Sequence, residues 1–182
     1  MKDEEKTKLL LEIIKRFDGY ISSTNTKCTI YLSYFAASTG WLILSHLRLP
    51  PLPVSNHLSL CSTLILSAIV ITSSLILTIK ALQVIFPITK SNSTTNNGHS
   101  LIYYGDISRR KPNAYTEEIL NLDSLSSIKD LSEQAHILAV ITNNKFNKIK
   151  SLANLTTTTH TIPLFILIAI QLFNAISGRY LV

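Results

Sequence analysis

The sequence predicts an all-α membrane protein with three membrane-spanning helices and a small helical cytosolic region, its N-terminus inside and its C-terminus outside. The first reason is the distribution of charge. No Asp, Glu, Lys or Arg occurs from Cys28 to Leu47 (20 residues), from Leu49 to Ile79 (31 residues) or from Ser151 to Gly178 (28 residues). A hydrocarbon core of about 30 Å needs roughly 20 helical residues at about 1.5 Å each, so each blank is long enough to cross. The second reason is the division of basic residues. Six of the 17 Lys and Arg precede the first blank and nine lie between the second and third, leaving only Arg48 and Arg179 for the other side. That asymmetry is the positive-inside pattern, and an odd number of spans requires opposite ends.

The elements follow in chain order. Residues 1–27 read as a cytosolic amphipathic helix, with Leu10, Ile13, Ile14, Phe17 and Ile21 at helical spacing and Glu4–Lys8 and Glu12–Arg16 as i,i+4 pairs. It runs on into span one, 28–47, where Tyr31 and Trp41 suit the membrane–water interface. The external loop, 48–57, holds Pro50, Pro51 and Pro53 and predicts a tight turn. Span two, 58–79, continues to about residue 86 and stops at Pro87. The cytosolic region, 87–152, opens with a loop at 89–100 that has no hydrophobic residue. Leu101–Ile107 then reads as extended with a turn at Gly105–Asp106, followed by a helix from about Asn113 to Leu122. A last cytosolic helix starts near Ser124. It carries Ile128, Leu131, Ala135, Leu138, Thr142, Lys145, Ile149 and Leu152 at alternating spacings of three and four. Span three covers 155–178.

The spans carry polar and small residues in register. Ser59, Thr63, Ser67, Ser74 and Thr78 share one face of span two, and Ala36–Gly40 and Ser33–Ala37 are small pairs four apart in span one. Gln171 and Asn174 lie one turn apart in span three. Amides and hydroxyls are costly in hydrocarbon without partners, so Ser67, Ser74, Thr78, Gln171 and Asn174 are expected on a polar face. That face either packs helix on helix or lines a pore. A pore requires a homo-oligomer, because three spans enclose little.

Much is excluded. There is no G-x-G-x-x-G, P-loop or H-E-x-x-H motif, and the five histidines include no i,i+4 pair, so neither enzyme nor metal site is expected. Cys28 and Cys61 sit inside spans as small apolar residues. The net charge of +6 in a soluble chain would raise nucleic acid as a partner. Here it reports topology, and no nucleic-acid polymer is expected.

Three phrases taken together resemble the transmembrane effectors of Pycsar, the bacterial antiphage system built on a pyrimidine cyclase. They are RFDGYISSTNTK (Arg16 to Lys27), SLIYYGDIS (Ser100 to Ser108) and the Gln134…Lys145…Ala153 helix leading into span three. Arg16, Asp18, Asn25 and Gly105 match these phrases. The resemblance implies an effector of the bacterial inner membrane, without a cofactor, that binds cyclic CMP or cyclic UMP from a partner cyclase and impairs the bilayer. The chain departs from the usual cyclic-nucleotide sensor in having no phosphate-binding cassette of the barrel type. A nucleotide site would then be built from helices and the Tyr103–Lys111 segment. Tyr103 and Tyr104 would stack on a pyrimidine, Asp106 would accept from the base or ribose, and Arg109, Arg110 and Lys111 would neutralise the phosphate. Lys145, which with Thr142 breaks the apolar seam of the last cytosolic helix, either sets register or faces a polar ligand. The same basic triplet also suits lipid head groups. The alternative function is a membrane anchor that recruits a cytosolic partner through its helices.

Overall fold

The computed structural model describes residues 1–48, 57–86 and 100–177. Residues 49–56 of the external loop, Pro87, nearly all of the 89–100 loop, Gly178 and Arg179 lie outside the described residues, while Arg48 and His57, expected in the external loop, end α1 and begin α2. All regular structure among the described residues is helical. In order it comprises α1 (Asp3–Arg48), α2 (His57–Ile85), α3 (Tyr104–Ile107), α4 (Pro112–Leu120), α5 (Ser124–Leu155), a π-helical turn (Thr156–Thr161) and α6 (Ile162–Ser177). Three helical stretches are long and apolar enough to cross a membrane. Contacts divide the chain into one unit of residues 1–24 with 87–146 and another of 25–86 with 147–182.

The expected helix before span one and the span itself form a single helix, because one apolar line runs through both. Leu10, Ile14, Phe17, Ile21, Thr24, Cys28, Tyr31, Phe35, Ser38 and Leu42 alternate by four and three, and each is buried or half-buried. Asp3, Glu4 and Glu5 occupy the first turn, where carboxylates favour the helix dipole. On α2 the buried line is Thr63, Ser67, Val70, Ser74, Leu77, Ala81 and Val84, again by four and three. Its small members let α2 lie against α6 and the π turn.

The predicted extended stretch at Leu101–Ile107 is corrected by the structure: Tyr104–Ile107 is a short helical turn. The physical reason is Ser100. Its hydroxyl accepts from the backbone N–H groups of Ile102 (3.1 Å) and Tyr103 (3.0 Å), curling the chain before it can extend. Helix α4 begins at Pro112, a residue suited to a first turn whose N–H needs no partner.

In the first unit, α5 starts at an Asp123 cap. One Asp123 carboxylate oxygen accepts from Ser126 N–H at 3.2 Å. The Ser126 side chain and backbone hold the Asp123 carboxyl below its ordinary value. A carboxyl depressed in the folded state stabilises above its unfolded pKa, and that contribution is lost as pH falls through the lower folded value. At neutral pH, Asp123→Ala therefore speeds amide hydrogen exchange in the first turn of α5, while Asp123→Asn, an uncharged cap, leaves it slow. In the wild-type chain the same loosening appears only as pH drops below the usual carboxylate range.

Candidate functional site

The second unit buries a layer of polar side chains between two apolar clusters. One cluster is built on Cys28, Phe35, Leu77, Ala81, Val84 and Leu152. The other is Leu42, Val70, Leu164 and Leu167. At the centre of the layer is His160, with 0% of its surface exposed. Its Nε2 lies 2.9 Å from Ser38 Oγ on α1, and its Nδ1 lies 3.2 Å from Ser73 Oγ on α2. Tyr34 and Phe35 meet the ring edge-on, both with centroids 5.3 Å away. Tyr34 Oη pairs with Thr161 Oγ1 at 3.1 Å, and Thr39 Oγ1 with Ser74 Oγ at 2.8 Å. Every contact joins two helical elements, so the layer ties the three spans together.

The hydrogens in this layer are too few for all its contacts. Ser38 Oγ also reaches Phe35 O (3.1 Å), and Ser73 Oγ reaches Val70 O (2.9 Å). A neutral imidazole has one N–H and each hydroxyl one O–H. Three hydrogens serve four contacts, so one serine must donate to the ring and give up its own carbonyl.

His160 reaches this position because of the π turn. On an α-helix each four-residue step overshoots 3.6 by about 40°. The buried residues Leu152, Thr156, His160 and Leu164 make three such steps in succession, which a regular helix would carry off the line. The wider turn absorbs the excess, closed by Ile162 N–H bonding to Thr157 O. Pro163 explains why it forms here: inside a helix its ring clashes with the carbonyl four residues back, and it offers no N–H. The threonines assist. Thr157, Thr158 and Thr159 hydroxyls donate to carbonyls four residues earlier at 2.8–3.1 Å, softening the regular ladder. Sequence reading missed His160 because a seam was followed at α-helical spacing. The signal was present as the 4-4-4 run of Leu152, Thr156, His160 and Leu164 beside Pro163.

The other expected residues of the polar face divide. Ser67 and Ser74 are buried within the chain, Ser67 Oγ at 2.8 Å from His46 Nε2, and Thr78 is half-buried. Gln171 has a buried Nε2 that meets no hydrogen-bond partner among the described residues, and Asn174 is half-buried.

The expected nucleotide residues lie in the first unit, and several are already engaged. The Asp106 carboxylate accepts from Ser100 N–H at 3.1 Å. Arg110 Nη1 lies 2.8 Å from Glu118 Oε2. Gln134 Nε2 donates to Ser100 Oγ at 3.3 Å, Leu101 N–H to the Asp130 carboxylate at 2.8 Å, and Tyr115 Oη to Leu101 O at 3.0 Å. These contacts bind Ser100–Ser108 to α4 and α5. Tyr104, Arg109 and Lys111 are exposed. Lys145, at 3% exposure, sits on the buried line of α5 one turn after Thr142. Near this segment, a depression lined by Leu101, Ala114, Glu117, Glu118 and Asp123 is acidic rather than basic.

The Tyr103 and Tyr104 rings lie 4.9 Å apart and tilted by 57°, against each other rather than parallel. Partial burial, then the Tyr104 hydroxyl, pushes the Tyr103 phenol above its ordinary 10.0. Gly105 permits this arrangement, since a Cβ there would stand 2.6 Å from Tyr103 Cε1. Gly105→Ala accordingly displaces the Tyr103 ring, and the Tyr103 transition, followed through its own ring resonances by NMR, moves down toward the ordinary value. An unchanged transition would show that the ring does not depend on the glycine.

Neither the curated proteins nor the solved structures include a match to this chain. The family model for the Pycsar effector protein domain matches residues 9–173, a range holding both the buried layer and the Ser100–Ser108 turn. The chain therefore belongs to the Pycsar effector family, whose members are membrane effectors of antiphage defence.

Proposed function

We propose that this protein is a multi-pass effector of the bacterial inner membrane that binds cyclic CMP or cyclic UMP and impairs the bilayer when it does so. The observation that carries this reading is the polar layer around His160, buried between two apolar clusters in the spanning unit. A bundle meant only to anchor a domain gains little from such a layer. A bundle that must switch needs a packing that holds firmly at rest and yields to a modest free energy.

Magnitudes favour that role. Interhelical hydrogen bonds in membrane bundles average about 0.6 kcal/mol, so the two His160 contacts together contribute about 1.2 kcal/mol, roughly eightfold in an equilibrium. A nucleotide with even modest preference for the open arrangement outweighs that, and without such a preference nothing shifts. The nucleotide is held in the first unit. Exposed Tyr104, Arg109 and Lys111 meet base and phosphate, while Tyr103, Asp106 and Arg110 shape the segment and Lys145 adds a cation. The N-terminus faces the cytosol, as the basic residues require, so the cyclase product reaches it directly. A homo-oligomer forms the damaging assembly. Among the described residues nothing lies within 4 Å of where a Gly40 Cβ would stand, so the Ala36–Gly40 face has room for a second copy. The role asks no catalysis of this chain.

The test is membrane potential, read with a voltage-sensitive dye in bacteria expressing the protein and given membrane-permeant cyclic CMP, cyclic UMP or cyclic AMP. One pyrimidine nucleotide depolarises the cells, and vector controls do not respond. Silence toward all three, with the protein confirmed in the membrane, favours the anchor that recruits a cytosolic partner. In the same assay His160→Phe keeps a ring between Tyr34 and Phe35 but removes both serine contacts. It lowers the nucleotide needed by roughly eightfold, or depolarises without it. An unchanged dose response at normal membrane level would remove the layer from gating.

A further inference from the structure

A groove of about 560 Å³ runs along the outside of α2 beside the π turn. One wall is Ile65, Ala68, Ile69 and Ile76 of α2, and the other is Leu155 and Thr159. Lys80 closes one end and, among the described residues, is the one charged side chain lining it.

The groove offers carbon to an occupant. Two of its three hydroxyls are turned to their own helices: Thr159 Oγ1 lies 2.8 Å from Leu155 O and Ser73 Oγ 2.9 Å from Val70 O, leaving Thr72 as the third. A ligand polar along its whole length finds few partners there, because between Lys80 and Ile65 the lining is mostly hydrocarbon. From Ile65 to Lys80 the lined stretch covers roughly 22 Å of helix, longer than the hydrocarbon half of a bilayer at about 15 Å. Lys80 lies five residues before the end of α2 at Ile85, where a lysine stem lies along apolar surface and its ammonium reaches the head groups. An apolar slot long enough for a full acyl chain, with a single cation at its mouth, has the shape and charge of one amphiphile.

We infer that this groove is a binding site for an anionic phospholipid, its acyl chain along α2 and its phosphate on Lys80. Ser73 lines the groove and also contacts His160 at 3.2 Å, so the lipid covers the outer side of the polar layer and steadies α2 against the π turn. The inference rests on membrane insertion and not on the nucleotide reading.

The full chain is purified in mild detergent with equal phosphatidylglycerol and phosphatidylcholine of matched chains, and retained lipid is counted by native mass spectrometry. Phosphatidylglycerol is retained about fivefold over phosphatidylcholine, the preference one lysine gives near an anionic surface. Lys80→Gln brings the ratio near one. Ala68→Phe, which places a ring in the groove, lowers retention of both lipids. Equal retention by the wild-type chain, or a preference that survives Lys80→Gln, overturns the site. So does a lipid-free dimer that Ala68→Phe disperses, since the groove is then covered by a second copy.

Discussion

An imidazole in hydrocarbon must find partners on other helices, and the arrangement of the spanning unit follows from that requirement. His160 has two nitrogens on opposite sides of its ring, so two different helices must meet it, and Ser38 and Ser73 do so. Those serines fix where α1 and α2 stand along the π turn. A purely apolar seam would tolerate sliding, because one methyl group fits about as well as the next. A polar layer does not, since a shift of one turn leaves buried groups unpaired at about 1–3 kcal/mol each.

The same layer is a small part of the energy that holds the spans together. Burying one leucine or phenylalanine side chain contributes about 1.5–3 kcal/mol in water, although in lipid, packing rather than water exclusion must supply the attraction. The clusters on either side contain Phe35, Leu42, Leu77, Leu152 and Leu167, each almost fully buried. Apolar packing therefore supplies cohesion and the histidine layer supplies register.

The first unit shows how one short motif serves structure and leaves a remainder for chemistry. Ser100 curls the chain, Asp106 closes the turn back on the Ser100 amide, and Asp130 and Gln134 of α5 secure the entry. Arg110 is committed to Glu118. The residues still exposed, Tyr104, Arg109 and Lys111, are a narrower set than the segment's composition suggests. The acidic depression nearby disfavours anions.

Sequence alone determined the helical class, the three spans, the long α1 and the seam of α5 as far as Leu152. Each rests on one-dimensional regularities: charge blanks longer than a bilayer, and apolar residues returning every three or four positions. The family was legible as well, because its phrases keep their order along the chain. Tertiary structure alone decided the place of His160 and the conformation of Ser100–Ile107. Both depend on departures from regular periodicity whose outcome is set by partners distant in sequence. Pro163 disturbs the turn before it, but serines 122 and 87 residues away help make a buried histidine acceptable there. Ser100 curls rather than extends because α5 presents Asp130 and Gln134 to it. Period and charge can be read along a chain, whereas the satisfaction of a buried polar group is decided by the neighbours that folding brings to it.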